Sequence, residues 1–288
     1  MKTYENAQYD EERALYGLQD AVVRNCCFDG PADGESALKE SRDIQVEDCR
    51  FNLRYPFWHV KNARIRNCEL TENCRASLWY DDNVTLEDCR MHGIKALREC
   101  RGVKLVRTDV ISKEFLWKCR DLELEQVSME SEYPFLECRD VKIDGLTLKA
   151  KYSFQYVENM VLRNSVLDTK DAFWHSRNVT VYDSVVKGEY LGWYSEGLKL
   201  VRCRIIGTQP LCYCRGLVLE DCTMENTDLS FERSEVEASV EGRIESVKNP
   251  AAGSIRAEEI GTLLLESAFI DPAATKILCD KIGEKILV

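Results

Sequence analysis

The sequence predicts an all-β fold, a single-stranded right-handed parallel β-helix (β-solenoid) of about thirteen coils with short terminal caps. Three observations lead to this prediction. A segment of 19 residues recurs along most of the chain, apolar residues alternate with polar ones inside each copy, and Asn, Asp or Gly marks the same positions in most copies. Apolar residues at every second position are the period of a strand with one buried face. Copies of such strands at a constant step can all bury that face by stacking one turn on the next.

The repeat is clearest in a column of small or apolar residues. Apolar residues also stand five and three positions before each member of this column and two positions after it, as Val84, Leu86 and Met91 do around Cys89. The chain shows no i, i+3, i+4 stripe, and a 19-residue step is too short for a helical repeat pair. The column consists of Cys89, Thr108, Val127, Leu146, Ser165, Ser184, Cys203 and Cys222.

Two polar positions in each copy predict tight turns. Asn, Asp and Gly tolerate a left-handed backbone at low cost, and stacked amides there could hydrogen-bond from coil to coil. The corner before the cysteine column contains Asn25, Asp48, Asn67, Asp88, Gly145, Asn164, Asp183 and Asp221. The corner that opens each strand contains Asp43, Asn62, Asn83, Gly102, Asp121, Asp140, Asn159, Asn178, Gly197 and Gly216.

The repeat divides the chain into three parts. Residues 18–265 are predicted to form the β-helix, residues 1–17 an N-terminal cap, and residues 266–288 a C-terminal cap or short strands. The stretch 29–34 reads as a loop. Open parallel sheets need covers because uncovered edges pair with other chains. The apolar tail could cap its own coil or join a partner, so a homo-oligomer is one expectation.

Charge and composition argue against several classes of partner. The net charge is −11, and an acidic chain repels phosphate backbones, so we expect no nucleic-acid partner. No apolar run approaches the ~20 residues that span a bilayer, so we expect no membrane partner. Residues 1–6 lack the apolar core of a secretory signal. Fourteen cysteines without such a signal favour a reducing compartment, and we expect a cytoplasmic location.

Two motifs resemble known families. The Ile-x-Val-x-Asp/Asn-Cys-x-Leu coil with its Asn corners resembles the pectin-lyase-like superfamily of right-handed parallel β-helices. Recurrent segments of the form Phe-Trp-x-Cys-Arg-Asn/Asp, such as Leu-Trp-Lys-Cys-Arg-Asp at residues 116–121 and Phe-Trp-His-Ser-Arg-Asn at residues 173–178, resemble a bacterial family labelled only as a domain of unknown function. The resemblance covers roughly residues 18–265. It implies the fold and brings no settled activity.

Most of the cysteines fall into two columns. Their positions are filled elsewhere by Thr, Val, Leu or Ser, which indicates small packing residues, since buried free cysteine behaves as a small hydrophobe. Zinc is the alternative, but Cys26-Cys27 and Cys212-x-Cys214 are not CxxC pairs. We therefore expect no metal and no cofactor. The columns contain Cys26, Cys49, Cys68, Cys89, Cys203 and Cys222, and Cys100, Cys119, Cys138 and Cys214.

An aromatic ribbon precedes the second cysteine column and contains all five tryptophans. A sugar chain could use such a ribbon by stacking on ring faces and hydrogen-bonding to polar rims. Structural packing or a contact between protomers is the alternative, because a corner breaks the strand period and leaves the direction of the tryptophans open. The candidate ligand-binding residues are Trp58, His59, Trp79, Tyr80, Trp117, Tyr156, Trp174, His175, Trp193 and Tyr194.

Glu99 and Glu137 are the candidate catalytic residues. They lie two coils apart, about 9.6 Å by the strand spacing, at the upper edge of the range for inverting glycosidases. His59 and His175 lie six coils apart and cannot act together in one chain. A solvated surface role is the alternative for all four side chains.

Two functional hypotheses follow. The first is a non-catalytic scaffold or binding protein. The alternative is a carbohydrate-active enzyme, a glycoside hydrolase or polysaccharide lyase, or a saccharide binder that uses the ribbon. The coils from residue 84 to about 240 carry no long loops with which to wall a cleft and exclude water, which favours the first hypothesis.

Overall fold

The structure, a computed structural model, describes residues 1–30 and 34–288, so residues 31–33 of the loop predicted at 29–34 lie outside the described residues. It contains strands and turns and, among the described residues, no helix. The chain divides into two units, Met1–Leu148 and Lys149–Val288.

The first unit is built from short strands separated by corners. Its longest strands, β15 and β17, run through a corner. The strands are β1 (Lys2–Glu5), β2 (Gln8–Tyr9), β3 (Gln19–Arg24), β4 (Cys27–Phe28), β5 (Arg42–Glu47), β6 (Arg50–Phe51), β7 (Lys61–Arg66), β8 (Glu69–Leu70), β9 (Asp82–Glu87), β10 (Arg90–Met91), β11 (Ala96–Arg98), β12 (Arg101–Val106), β13 (Asp109–Ile111), β14 (Glu114–Trp117), β15 (Arg120–Ser131), β16 (Tyr133–Pro134) and β17 (Arg139–Ala150).

The second unit repeats this plan and ends in two long strands. Its strands are β18 (Tyr152–Ser153), β19 (Glu158–Arg163), β20 (Val166–Asp168), β21 (Asp171–Ala172), β22 (Arg177–Tyr182), β23 (Val185–Lys187), β24 (Glu196–Val201), β25 (Arg204–Ile206), β26 (Leu217–Glu225), β27 (Glu235–Glu241), β28 (Arg243–Lys248), β29 (Ala252–Leu265) and β30 (Thr275–Leu287).

Within each unit, strands pair parallel and in register with the strand one coil later. Val84 lies opposite Val103 in the first unit, and Val179 lies opposite Leu198 in the second, each pair separated by the predicted step. These residues point into the core, as the alternation of apolar positions requires. The predicted fold class, an all-β parallel β-solenoid, is confirmed.

The structure has about fifteen turns, more than the thirteen expected. The difference lies at the termini. Strand β1 pairs with β3, so the segment expected as an N-terminal cap forms a coil of its own. Strand β30 pairs in parallel with β29, so the segment expected as a C-terminal cap or short strands adds a further strand to the stack. Sequence periodicity missed both because their polar residues obscure the apolar columns.

The predicted corners have the expected backbone. Every Asn, Asp and Gly of the two corner columns has a positive φ, for example Asn83 at 59° and Gly102 at 65°. The side chains also bond from coil to coil: Asn83 Nδ2 donates to Asn62 Oδ1 at 2.9 Å, and Asn178 Nδ2 donates to Asn159 Oδ1 at the same distance. Each such bond satisfies an amide that would otherwise need water.

Both cysteine columns are buried, which confirms their interpretation as packing residues. The thiol of Cys49 lies 3.1 Å from the carbonyl oxygen of Glu47, and the thiol of Cys119 lies 3.2 Å from that of Leu97. Burial raises the pKa of the Cys119 thiol well above its ordinary value, which favours the neutral thiol at this position.

No helix within residues 1–30 and 34–288 has the length and apolar character needed to cross a membrane.

Candidate functional site

The ribbon segment has a backbone in which left-handed residues alternate with others. Phe173 and His175 have φ of 63° and 53°, with Trp174 between them. As a result Phe173 lies in the core, His175 lies in solvent, and Trp174 is half-buried. The same pairing of left-handed residues occurs at Phe57 and His59, Leu78 and Tyr80, Leu97 and Glu99, Leu116 and Lys118, Phe135 and Glu137, Phe154 and Tyr156, and Leu211 and Tyr213.

The alternation of left-handed residues determines whether the side chains of each candidate column face the core or solvent. The tryptophan column, Trp58, Trp79, Trp117, Trp174 and Trp193, is half-buried, and the column that follows it is exposed except at Tyr213, which is half-buried. Left-handed φ is unfavourable for bulky L-residues, so contacts between coils must hold this conformation.

Four tryptophans connect neighbouring coils through hydrogen bonds from their indole N–H groups. The indole N–H of Trp193 donates to the backbone carbonyl of Gln209 at 2.8 Å, and that of Trp174 donates to the carbonyl of Tyr190 at 2.7 Å. In the first unit Trp58 and Trp117 donate in the same way to Ala76 and Tyr133. A bound indole N–H is not available to a ligand, so these contacts favour a structural role for the tryptophan column.

Trp79 is the exception in this column. Its indole N–H is buried and has no hydrogen-bond partner among the described residues. Its ring instead contacts the ring of Trp58, 5.2 Å away between centroids, and the guanidinium of Arg98, 5.4 Å away. Arg98 also lies 4.2 Å from the ring of Trp117, so it occupies a tryptophan position with a cation–π contact on each side.

The exposed column of the second unit is a continuous ladder of stacked rings. Tyr156 and His175 lie 5.0 Å apart between centroids, His175 and Tyr194 5.1 Å, and Tyr194 and Tyr213 5.0 Å. The interplanar angles are at most 14°. Tyr156 and Tyr194 are 51% and 45% exposed. We call these four residues the aromatic ladder.

The ladder covers ring faces and exposes ring edges. Each inner ring has a neighbour on both faces, so a sugar cannot stack on it as the sequence interpretation envisaged. What faces solvent is the polar rim, where each tyrosine hydroxyl both donates and accepts and the imidazole carries one donor and one acceptor when neutral. Tyr213 was missing from the sequence-based site because Cys212 replaces the preceding tryptophan, although its spacing of 19 residues from Tyr194 could have revealed it.

Ion pairs flank the ladder on the side that follows it in sequence. Glu196 forms ion pairs with Arg177 at 3.6 Å and with Arg215 at 4.0 Å. These residues stand two positions after His175, Tyr194 and Tyr213. A strip of paired charges leaves the neighbourhood of the ladder without a dominant sign.

In the first unit the exposed column is aromatic only at His59 and Tyr80, whose rings stack at 5.2 Å. The next three coils place Glu99, Lys118 and Glu137 in the column. Lys118 Nζ lies 3.9 Å from Glu137 Oε2, and both side chains are about half exposed. The two candidate catalytic carboxylates therefore have an ammonium group in the coil between them.

A cavity of about 510 Å³ opens on the second unit before the ladder. Its floor is backbone, because a Cβ on Gly207 would lie 1.9 Å from the carbonyl oxygen of Gly188. Its walls include the ion pair of Asp168 and Lys187, 3.3 Å apart. The cavity is lined by Lys149, Ala150, Asp168, Thr169, Lys170, Lys187, Gly188, Glu189, Ile206, Gly207 and Asn226.

Tyr190 joins this cavity to the aromatic residues. It follows the lining residue Glu189 and meets the ring of Trp193 edge-on, with centroids 5.2 Å apart. The second unit thus offers a polar depression and a row of ring edges on neighbouring sides of the coil. Among the residues that the structure describes, no group of three or more His, Cys, Asp and Glu side chains is arranged to hold a metal ion.

Comparison with known proteins identifies a family and a fold. A family described as "Protein of unknown function (DUF3737)" matches residues 2–278. No curated protein matches the chain.

Several solved structures are similar in fold. The surface adhesin PfbA of Streptococcus pneumoniae is 11% identical, with a TM-score of 0.47 over 90% of this chain and 82% of that chain. The A-module of a mannuronan C-5 epimerase of Azotobacter vinelandii is 8% identical, with a TM-score of 0.35 over 99% and 88%. A lacto-N-biosidase from Eubacterium ramulus is 10% identical, with a TM-score of 0.35 over 100% and 68%. At this level of similarity the matches carry no inference about ligand or activity.

Proposed function

We propose that this chain, which belongs to the family described as protein of unknown function (DUF3737), is a non-catalytic scaffold that binds a saccharide chain along the aromatic ladder. The observation that carries the proposal is the unbroken row of stacked rings from Tyr156 to Tyr213, one ring per coil, of which the first three are exposed and Tyr213 is half-buried. The row spans about 14 Å, three strand spacings.

The chemistry of the ring edges supports a hydroxyl-rich ligand. Three phenol groups and one imidazole recur at the spacing of the coils, and each can donate and accept a hydrogen bond. The rings are held by stacking before any ligand arrives, so little side-chain entropy is lost on binding. A sugar chain lying along the ladder would bring a hydroxyl-bearing unit to each rim in turn.

The local charges support a neutral or weakly charged saccharide. The ion pairs of Glu196 with Arg177 and Arg215 leave no strong field beside the ladder. The depression on the other side is lined by three lysines and two acidic residues, of which Lys187 and Asp168 form an ion pair, so its net charge is also small.

The geometry of the two candidate carboxylates supports the non-catalytic part of the proposal. Inverting hydrolysis needs one carboxylic acid and one carboxylate facing a shared gap. Here Lys118 occupies the intervening coil and pairs with Glu137. Both Glu99 and Glu137 are exposed, and water is not excluded from either.

The test is binding of the purified protein to a panel of neutral and acidic polysaccharides, followed by titration of the best ligand. In the triple variant Y156F/Y194F/Y213F the stacked rings remain and the hydroxyls are gone. At about 1 kcal/mol for each hydrogen bond, affinity should fall by about 100-fold. The matched control Y16F removes an exposed tyrosine hydroxyl of the first unit and should bind as wild type.

Two outcomes contradict the proposal. Equal affinity of the triple variant and wild type would remove the ladder as the binding strip. Shortening of the bound saccharide by wild type, with loss of that activity in E137Q, would show that the protein is an enzyme.

A further inference from the structure

The last strand of the second unit presents an open edge. Strand β30 pairs along its whole length with β29, from Thr275 opposite Gly253 to Leu287 opposite Leu265. Within residues 1–30 and 34–288, no strand pairs with its other side. Every second residue of β30 therefore directs a backbone N–H and C=O toward that edge, where another strand can bind them.

The first half of β30 also carries apolar side chains that no further coil covers. Ile277 and Cys279 lie opposite Ile255 and Ala257, which are buried, yet both are only half-buried because no further coil stacks on them. Leu278, on the outer face between them, is half-buried as well. Apolar surface around an unpaired edge is typical of a strand-addition site.

Residues 276–280 of β30 have charges that would pair with those of a second copy of the same segment running in the opposite direction. The order is Lys276, Ile277, Leu278, Cys279, Asp280, an apolar centre with a cation on one side and an anion on the other. Lys276 and Asp280 are exposed. Neither makes an ion pair within the described part of the chain. Parallel pairing of two copies would set like charges together, whereas antiparallel pairing sets opposite charges together.

We infer that β30 is a dimerisation strand whose partner is a second copy of this chain, paired antiparallel about a twofold axis at Leu278. Lys276 then faces Asp280 of the partner subunit, and Ile277 faces Cys279 of the partner subunit. Leu278 meets Leu278 of the partner subunit on the axis. A residue on the axis pairs with itself, which is the alignment that antiparallel strands of one sequence require.

This contact covers the open edge of both copies from Thr275 to Lys281. An antiparallel pair on a twofold axis is isologous, so it stops at two copies instead of growing into a filament. It also brings the inward residues Ile277 and Cys279 against their counterparts, which extends the apolar core across the interface. The inference does not depend on the proposed saccharide site, because β30 contains no ladder residue.

The test is the oligomeric state of the full chain and of charge-reversal variants, measured by sedimentation and light scattering over a range of concentrations. Wild type should be a dimer. Either K276D or D280K alone places like charges opposite each other twice in the dimer, and each should weaken association by about tenfold or more. The double variant K276D/D280K exchanges the two partners and should restore the dimer.

A cross-link tests the alignment directly. In a C279S background, L278C should form a disulfide-linked dimer on mild oxidation, because the two residues meet on the axis. Lys285→Cys in the same background lies away from the axis on the same strand and should cross-link little.

Three results would overturn the inference. These are a monomeric wild type at about 100 μM, single reversals that associate as well as wild type, or assemblies that grow beyond two copies with concentration. Unchanged circular dichroism of the variants excludes misfolding as the cause, and both reversed side chains are exposed.

Discussion

At the scale of single residues, Asp81 is the most unusual group in the core. It stands 19 residues before Cys100, in the interior column of small residues and thiols, and is 2% exposed. Its Oδ1 accepts a hydrogen bond from the backbone N–H of Val60 at 2.8 Å, whereas Oδ2 has no partner among the described residues. Burial raises the pKa of this carboxyl well above its ordinary value.

The position of Asp81 makes stability depend on pH. A carboxyl whose pKa is higher in the folded state binds its proton more tightly there than in the unfolded chain. Its contribution to stability is complete below the unfolded pKa of about 3.9 and is lost as pH rises through the folded pKa. Over that window the free energy of unfolding falls by up to about 1.4 kcal/mol for each pH unit.

We therefore expect Asp81→Asn to stabilise the protein at neutral pH. The amide oxygen can still accept from Val60, and no charge is buried. The difference between variant and wild type in the free energy of unfolding should widen as the pH rises above the unfolded pKa of about 3.9, as measured by urea titration. The neighbouring exposed Asp82 provides the control, since D82N should leave the pH dependence unchanged. A stability difference that does not vary with pH would show that Asp81 is not protonated in the fold.

At the scale of the coil, two kinds of segment differ in how far sequence could predict them. The strand with its Asn corners was predictable, because Val84 and Leu86 alternate and Asn83 marks the left-handed turn. The ribbon was not, because its left-handed positions hold Phe173 and His175, residues whose intrinsic preference is against that backbone. Local residue propensity does not predict the ribbon backbone, because stacking between neighbouring coils determines its conformation. The sequence of a single coil does not reveal that stacking.

The same reasoning applies to the candidate site. Its columns could be read from the 19-residue step, and so could Asp81, which the step places in the interior. Which column faces solvent could not be read, because the period of two is broken where left-handed residues alternate. The sequence therefore identified the ribbon. It did not show that the indole N–H groups of Trp174 and Trp193 donate hydrogen bonds to backbone carbonyls.

The ladder should contribute to the stability of the second unit. His175 stacks on both Tyr156 and Tyr194, whereas His59 in the first unit stacks on Tyr80 alone in the exposed column. At about 0.5–1.5 kcal/mol for each aromatic pair, His175→Ala, which removes two pairs, should cost about 1–3 kcal/mol. His59→Ala should cost about half as much.

The measurement is chemical denaturation of both variants and of H175F, which keeps a ring in the ladder and should recover most of the loss. Both alanine variants place the same residue at the same left-handed backbone position, so strain cancels in the comparison. If H175A and H59A cost the same, the second stacked face contributes nothing.

At the scale of the whole molecule, each coil of the solenoid is in contact mainly with the coils before and after it. Val179 pairs backward with Met160 and forward with Leu198, and the same columns continue on both sides. Stability in such repeat architectures is approximately a sum of terms for single repeats and for neighbouring pairs. Removing one complete coil should thus leave the remaining interfaces nearly as they were.

We expect deletion of residues 179–197 to yield a folded protein. Asn178 then precedes Leu198 as it now precedes Val179, so corner, strand and core columns stay in phase. Far-UV circular dichroism per residue should match wild type, and the melting temperature should fall by only a few degrees, since one interface between coils is lost. The matched control deletes residues 179–188, which removes ten of the nineteen residues of one coil and leaves a fragment too short to complete a turn in register with its neighbours. That variant should be insoluble or unfolded. If both deletions behaved alike, phase between coils would not be what specifies this fold.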